Sequence, residues 1–135
     1  MRKSPMIDFE VLCHILEYCE EIEEFIEQFG RDEKIFMSNK AYRAAVSMNL
    51  LQIGELTGLL SNDYRSQTRG KINWSEIRGM RNWFAHNYGK MNKHIIWTTA
   101  TESVPELKDF CKTEIINAQS SSQENDSDRE EDFDI

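Results

Sequence analysis

The chain has 135 residues and a formal net charge of −8 at pH 7, a length that accommodates one hydrophobic core and one main domain. No apolar run reaches the roughly 18 residues that a membrane helix needs, and the basic first residues lead straight into acidic ones, unlike a secretory signal. The three cysteines, Cys13, Cys19 and Cys111, lack the spacing of a disulfide framework or a zinc site, so we predict reduced thiols. Together these features predict a soluble cytoplasmic protein. We predict no membrane partner, no metal and no cofactor.

The clearest predicted helix covers residues 9–29. Its apolar side chains recur with heptad-like spacing, which is typical of a helix that buries one face: Phe9, Leu12, Ile15, Leu16, Cys19, Ile22, Ile26 and Phe29. Ser4 and Pro5 suit an N-cap and a first helical position, and Gly30 suits the end of the helix.

A second helix is predicted over about 38–60. Small residues alternate there with large apolar ones, which would let another helix approach closely: Ala41, Ala44, Ala45, Gly54 and Gly58. Glu55 is a single acid in this apolar stretch. It either lies exposed on the outer face or is a buried carboxylate that orients an arginine.

Three further helices are predicted after a polar connection at 61–73. The third begins at Asn73, which with Glu76 resembles a capping box, and runs to about His86. The fourth begins at about Asn92. The last begins at a second capping box, Ser103-Val-Pro-Glu, and ends near Asn117.

These elements predict an all-α fold, namely an antiparallel up-and-down bundle of four to five helices formed by residues 1–117. No alternating strand pattern and no internal repeat is present. Residues 118–135 are rich in Ser, Gln, Asn, Asp and Glu and carry a net charge of −6. Because this composition cannot bury a core, we predict an acidic disordered tail.

The third helix separates into two faces at about 100° per residue. Ile77, Met80, Trp83 and Phe84 form an apolar arc that should face the core. The other arc carries Arg78, Arg81, Asn82 and His86, with the small residues Gly79 and Ala85 leaving room for a ligand. Residues 61–98 carry a net charge of +5 inside this acidic chain, which is compatible with a phosphate ligand or with an ordinary solvated surface.

An arginine, an amide and a histidine on one helix face suit phosphodiester chemistry. Arginine can bind non-bridging phosphate oxygens and stabilise a pentacoordinate transition state, and histidine can transfer protons near neutral pH. In RNA the 2′-hydroxyl is an internal nucleophile, so the reaction needs no metal. One histidine cannot easily act as both acid and base, and a two-fold dimer would supply a second.

At these residues the sequence resembles the HepT-like toxins of the HEPN superfamily, with Arg81, four residues, then His86-Asn-Tyr88 matching their R-x4-H-x-Y signature. The resemblance covers most of 6–117, including Gln52-Ile-Gly-Glu55 and Trp74-Ser-Glu-Ile77. It implies a HEPN-like fold and a dimeric, metal-independent endoribonuclease. Arg81 and His86 would be the catalytic residues, and Asn82 and Arg78 would support them. It also implies a minimal nucleotidyltransferase antitoxin as partner, which adds AMP to Tyr88.

The sequence leaves other functions open. The chain could instead be a non-catalytic helical subunit that presents a nucleotide or substrate to a minimal nucleotidyltransferase. It could also be a purely structural dimer of helices, in which the arginines form interface salt bridges. Only the first interpretation, a toxin ribonuclease, predicts RNA cleavage.

Overall fold

The computed structural model describes the backbone of residues 5–87 and 92–133, and side-chain exposure for 7–82, 84 and 92–120. All regular structure in these ranges is helical, which confirms the predicted all-α class. In chain order the elements are α1 (Pro5–Phe29), α2 (Glu33–Ser38), α3 (Lys40–Thr57), α4 (Asn62–Thr68), α5 (Trp74–Asn87), α6 (Lys93–Thr98), a π-helical turn (Thr99–Ser103) and α7 (Val104–Phe133).

Helix α1 is the centre of the bundle and packs against both α3 and α7. The predicted apolar stripe is confirmed, because Ile15, Cys19 and Ile22 are fully buried and Leu12 and Ile26 nearly so. Helix α7 supplies the facing side chains at helical spacing, from Val104 through Leu107 and Cys111 to Ile115.

Polar contacts near the helix ends show that α3 and α7 both run antiparallel to α1. At the start of α1, the buried Asp8 carboxylate accepts hydrogen bonds from the backbone N–H and the hydroxyl of Ser61, just beyond the end of α3. Past the other end of α1, the Gly30 carbonyl accepts from the Tyr42 hydroxyl at 3.0 Å, near the start of α3. Lys108 near the start of α7 donates to Glu23 near the end of α1 at 2.6 Å.

The predicted helix ends are confirmed where a capping residue sets them. Gly30 follows the last residue of α1 with a φ of 122°, a left-handed conformation that glycine adopts without strain. Asn73 accepts a hydrogen bond from the Glu76 backbone N–H at 3.1 Å, and Asn92 accepts one from that of His94 at 2.8 Å.

Two short helices, α2 and α4, were not predicted: α4 lies in the predicted polar connection at 61–73, and α2 lies between the first two predicted helices. Each begins at a side chain that accepts from the backbone two or three residues later: Asp32 binds the N–H of Lys34, and Ser61 binds that of Tyr64. With only 6 and 7 residues, these helices are too short to show a periodic apolar pattern.

The predicted capping box at Ser103 is wrong, because the chain passes from α6 to α7 without a break. The backbone N–H of Val104 bonds the Thr99 carbonyl, five residues earlier. Pro105 has no N–H to donate to the carbonyl of Thr101, and the wider π turn accommodates this missing bond just before the proline.

The last helix extends to Phe133, so its predicted end near Asn117 was too early. No Gly or Pro lies between 118 and 133 to terminate it. Ile115 is the last buried residue among those whose exposure is described, and residues 116–120 are all exposed. The division of the chain at 117 into a domain and an acidic tail stays a prediction. Within the described ranges, no helix is both long and apolar enough to cross a membrane.

Candidate active site

Helix α5 has the two faces that the sequence predicted, as far as its side chains are described. Phe84 is 5% exposed, and Ile77 and Met80 pack against the core. Arg78 and Asn82 are exposed on the other face. The helix therefore holds a basic surface in place by burying its opposite side.

Arg81 is held on this exposed face by two side-chain hydrogen bonds. Its Nε donates to Oε1 of Glu55 on α3 at 2.6 Å, and its Nη1 donates to Oδ1 of the adjacent Asn82 at 3.1 Å. Nη2 has no hydrogen-bond partner among the described residues. The two bonds thus hold two of the three guanidinium nitrogens, and Nη2, which makes no described hydrogen bond, can donate to a ligand.

Glu55 combines features of both interpretations that the sequence left open. Its carboxylate orients an arginine, but its side chain is 49% exposed and that of Arg81 is 41% exposed. An ion pair this open to water contributes only about 0–1 kcal/mol to stability. Its effect is therefore mainly on geometry, because it restricts the rotamers of a side chain that would otherwise move freely in solvent.

Gly54 brings the backbone of α3 into close contact with α5 at Arg81. A Cβ atom on Gly54 would lie 2.6 Å from Cβ of Arg81 and 3.3 Å from the carbonyl oxygen of Ile77. These distances confirm the expectation that small residues on this helix allow a close approach. The sequence did not indicate that the approach is centred on Arg81.

The other predicted site residues lie at or beyond the end of this described face. His86 belongs to the last part of α5, about 7.5 Å along the helix axis from Arg81 at the usual rise per residue. Its side chain, and Tyr88 altogether, lie outside the described residues. The structure therefore brings together Arg78, Arg81 and Asn82, and adds Glu55 and Gly54 from α3.

An apolar cavity of about 270 Å³ lies on the core side of α5. Ile53 of α3, Ile77 and Met80 of α5, and Leu107 of α7 contribute to its lining, whereas Arg81 does not. The absence of a lining cation makes it unsuited to an anionic substrate. The candidate site is consequently the open surface around Arg81 and not this cavity.

The buried thiols are structural. Burial raises the pKa of Cys111 to about 12, and burial also raises the pKa of Cys19 far above neutral pH. Both therefore stay protonated and behave as small hydrophobic side chains, as predicted for Cys19. Among the described residues, no cluster of three or more His, Cys, Asp or Glu side chains is placed to hold a metal ion.

Comparisons with known proteins identify relatives of this chain. Residues 15–114 match a family model described as "Ribonuclease HepT-like". A protein named as a candidate RNase in Methanocaldococcus jannaschii is 33% identical over 97 residues, which cover 72% of this chain and 86% of that protein. Another, named as a candidate ribonuclease HepT in Thermococcus cleftensis, is 33% identical over 95 residues, covering 69% of this chain and 86% of that protein. No solved structure shows significant similarity.

Proposed function

The chain belongs to the HepT-like ribonuclease family, and from this premise we propose that it is the toxin of a toxin–antitoxin pair that cuts RNA without a metal ion. The observation that carries the proposal is Arg81, a guanidinium oriented by Glu55 and Asn82 on an exposed helix face. An arginine held in this way suits a phosphodiester, because the two internal bonds orient the remaining Nη2 donors, which carry positive charge toward a non-bridging oxygen.

The proposed reaction is an internal transesterification. The 2′-oxygen loses its proton to a base and attacks the adjacent phosphorus, while the bond from phosphorus to the 5′-oxygen breaks and that oxygen takes up a proton. The products are a 2′,3′-cyclic phosphate and a 5′-hydroxyl end. Arg81 would stabilise the added negative charge on phosphorus, and His86 would transfer a proton.

A two-fold dimer built on α3 and α5 would bring two copies of His86 to one cleft, so that one acts as base and the other as acid. What supports this assembly is the outer face of α3, where Ala41, Ala44 and Met48 are exposed and Met48 retains 56% of its accessible surface. This face leads directly to Glu55, the partner of Arg81. Small and apolar exposed residues on one helix face are typical of a helix that packs against a second helix.

The proposal is tested by incubating the purified, unmodified protein with RNA in excess EDTA and analysing the new ends. We expect cleavage to continue and every product to carry a 2′,3′-cyclic phosphate and a 5′-hydroxyl. Cleavage that stops in EDTA and returns with Mg²⁺, or products with 5′-phosphates, would contradict the internal mechanism. Specific RNA binding without any cleavage would instead support the non-catalytic binding subunit.

We further propose that a minimal nucleotidyltransferase antitoxin transfers AMP from ATP to Tyr88: the hydroxyl oxygen loses its proton and bonds to the α-phosphorus, and pyrophosphate leaves. The motif places this residue two positions after His86, so an anionic, bulky adduct would compete with the substrate phosphate by charge and by volume. This step would regulate the site without altering the fold.

Tyr88→Phe is expected to keep at least part of the RNA cleavage and to escape neutralisation by the antitoxin, because it lacks only the acceptor hydroxyl. The measurement is the intact mass after co-expression with the nucleotidyltransferase. Wild type should gain the mass of one or more AMP groups, and the variant should gain none. Tyr18→Phe, on the long helix α1, is the matched control and should be modified like wild type. An unchanged AMP gain on Tyr88→Phe would place the acceptor elsewhere.

A further inference from the structure

A groove of about 400 Å³ lies beside the candidate active site, between α4 and the start of α5. Most of its lining residues are polar: Asn62, Arg65, Ser66, Arg69, Asn73, Ser75 and Arg78, with Ile72 and Trp74 as the apolar ones. Neither the proposed reaction nor the proposed regulation uses α4. The groove therefore has no role in either of these proposals.

The groove is positively charged, although the whole chain has a net charge of −8. Arg65, Arg69 and Arg78 line it, and no Asp or Glu does. Within the described parts of the chain, none of these arginines forms a salt bridge with a carboxylate, and Arg65 donates only to the neutral Asn62 side chain. Their charge is therefore available to an anion.

The walls of the groove are fixed by buried contacts. The indole Nε1 of Trp74 donates to Oγ1 of Thr68 at 2.8 Å, which ties the first residue of α5 to the last residue of α4. Both side chains are buried, and Trp74 also packs edge-on against Phe110 of α7, with ring centroids 5.7 Å apart. The arginines therefore project from a surface whose shape is set before any ligand binds.

The groove continues into the Arg81 surface along α5. Arg78 lines the groove and precedes Arg81 by three residues, so the two lie on neighbouring turns, about 4.5 Å apart along the helix axis. Arg65 lies on α4 and Arg69 is the residue that follows its last turn; the two are four residues apart and so lie on the same side of the helix. The four arginines therefore form a path from the groove to the candidate catalytic residue.

We propose that this groove binds the backbone phosphates of the RNA strand next to the cleavage point, with Arg65 and Arg69 as binding residues remote from the reaction. The proposal rests on the proposed function in that it takes RNA to be the substrate. A phosphodiester chain fits better than a single nucleotide, because the three arginines of the groove and Arg81 beyond it offer separate cations to successive phosphates.

The test measures binding of a fluorescein-labelled, single-stranded 16-nucleotide RNA to the full chain by anisotropy over a range of salt concentrations. It is done in the His86→Ala background, so that no probe is cut. We expect Arg65→Gln/Arg69→Gln to weaken binding about tenfold and to reduce the slope of log K against log salt by about 1.4, or roughly 0.7 for each lost contact.

The matched control is Arg31→Gln/Lys34→Gln, which removes the same amount of charge. These two residues follow the C-terminal end of α1, away from α4. It should leave the salt slope unchanged. Equal effects of the two double variants would overturn the proposal, because they would show only a loss of overall charge. An equal loss of affinity for a dinucleotide would also overturn it, because one phosphodiester would then suffice and no strand extending from Arg81 would be needed.

The outcome is independent of catalysis. If wild type fails to cut RNA but the groove variant still loses salt-dependent binding, the proposed function is contradicted and RNA binding by the groove is supported. If wild type cuts RNA and the groove variant binds the 16-nucleotide probe like the control, RNA binding by the groove is contradicted and the proposed function is supported.

Discussion

Arg81→Lys is expected to lower the rate of RNA cleavage by at least about a hundredfold, although it keeps the positive charge. Arg81 holds its position through Nε, which donates to Glu55, while Nη1 donates to Asn82. A lysine ammonium can bind either Glu55 or a phosphate, but it lacks the planar set of donors that would bind both in fixed directions. Loss of one directed donor to a transition-state oxyanion typically reduces rates by about 10²–10³.

The measurement is single-turnover cleavage of a labelled RNA at saturating protein, which separates the chemical step from binding. His86→Ala, which removes the proposed proton-transfer group, sets the level of full inactivation. Arg31→Lys is the matched control, because Arg31 lies outside the site and its ion pair in the described part of the chain is with Glu27, at 3.9 Å. Retention of more than half the wild-type rate by Arg81→Lys would remove the directed guanidinium from the mechanism.

Stability should change little in the same variant. The ion pair between Arg81 and Glu55 is about half exposed, and such pairs contribute only about 0–1 kcal/mol. A thermal melt close to that of wild type, together with a large loss of rate, would assign the arginine to function. A large fall in the melting temperature would instead indicate that Arg81 serves mainly to hold α3 and α5 together.

The sequence predicted the long helices because burial leaves a periodic apolar pattern. Helix α1 has 25 residues and buries a side chain at every turn, from Leu12 to Ile26. Helices α2 and α4 were missed because their signal is confined to one capping side chain. The π turn was missed because its cause, Pro105, also fits the first turn of a new helix, and spacing alone cannot separate the two.

The site was predictable on α5 but not across to α3. The helical wheel placed Arg78, Arg81 and Asn82 on one exposed face, as observed. The pairing of Glu55 with Arg81 was one of two alternatives, since a sequence without distances cannot show which carboxylate meets which cation across 26 residues. The roles of His86 and Tyr88 rest on the motif and stay predictions.

Gly54→Ala is expected to be severely damaging, because Gly54 lies where two helix backbones meet at the candidate catalytic arginine. The new Cβ would lie 2.6 Å from Cβ of Arg81 and 3.3 Å from its Cα. At these distances α3 and α5 cannot both stay in place. Overpacking of this kind costs about 1–3 kcal/mol of stability, which should appear as a clear fall in the melting temperature.

The cleavage rate of folded Gly54→Ala should also fall, by about a hundredfold, since a shift of about 1 Å in a catalytic group can have that effect. Rates are measured well below the melting temperature of the variant, after circular dichroism has confirmed its helix content. Gly70→Ala is the matched control, because a Cβ at Gly70 meets no atom within 4 Å. If Gly54→Ala melts and cleaves like Gly70→Ala, α5 can move away from α3 without disturbing Arg81, and the close approach is not what positions this residue. If it melts lower but cleaves at the wild-type rate, the contact between the helices contributes to stability alone.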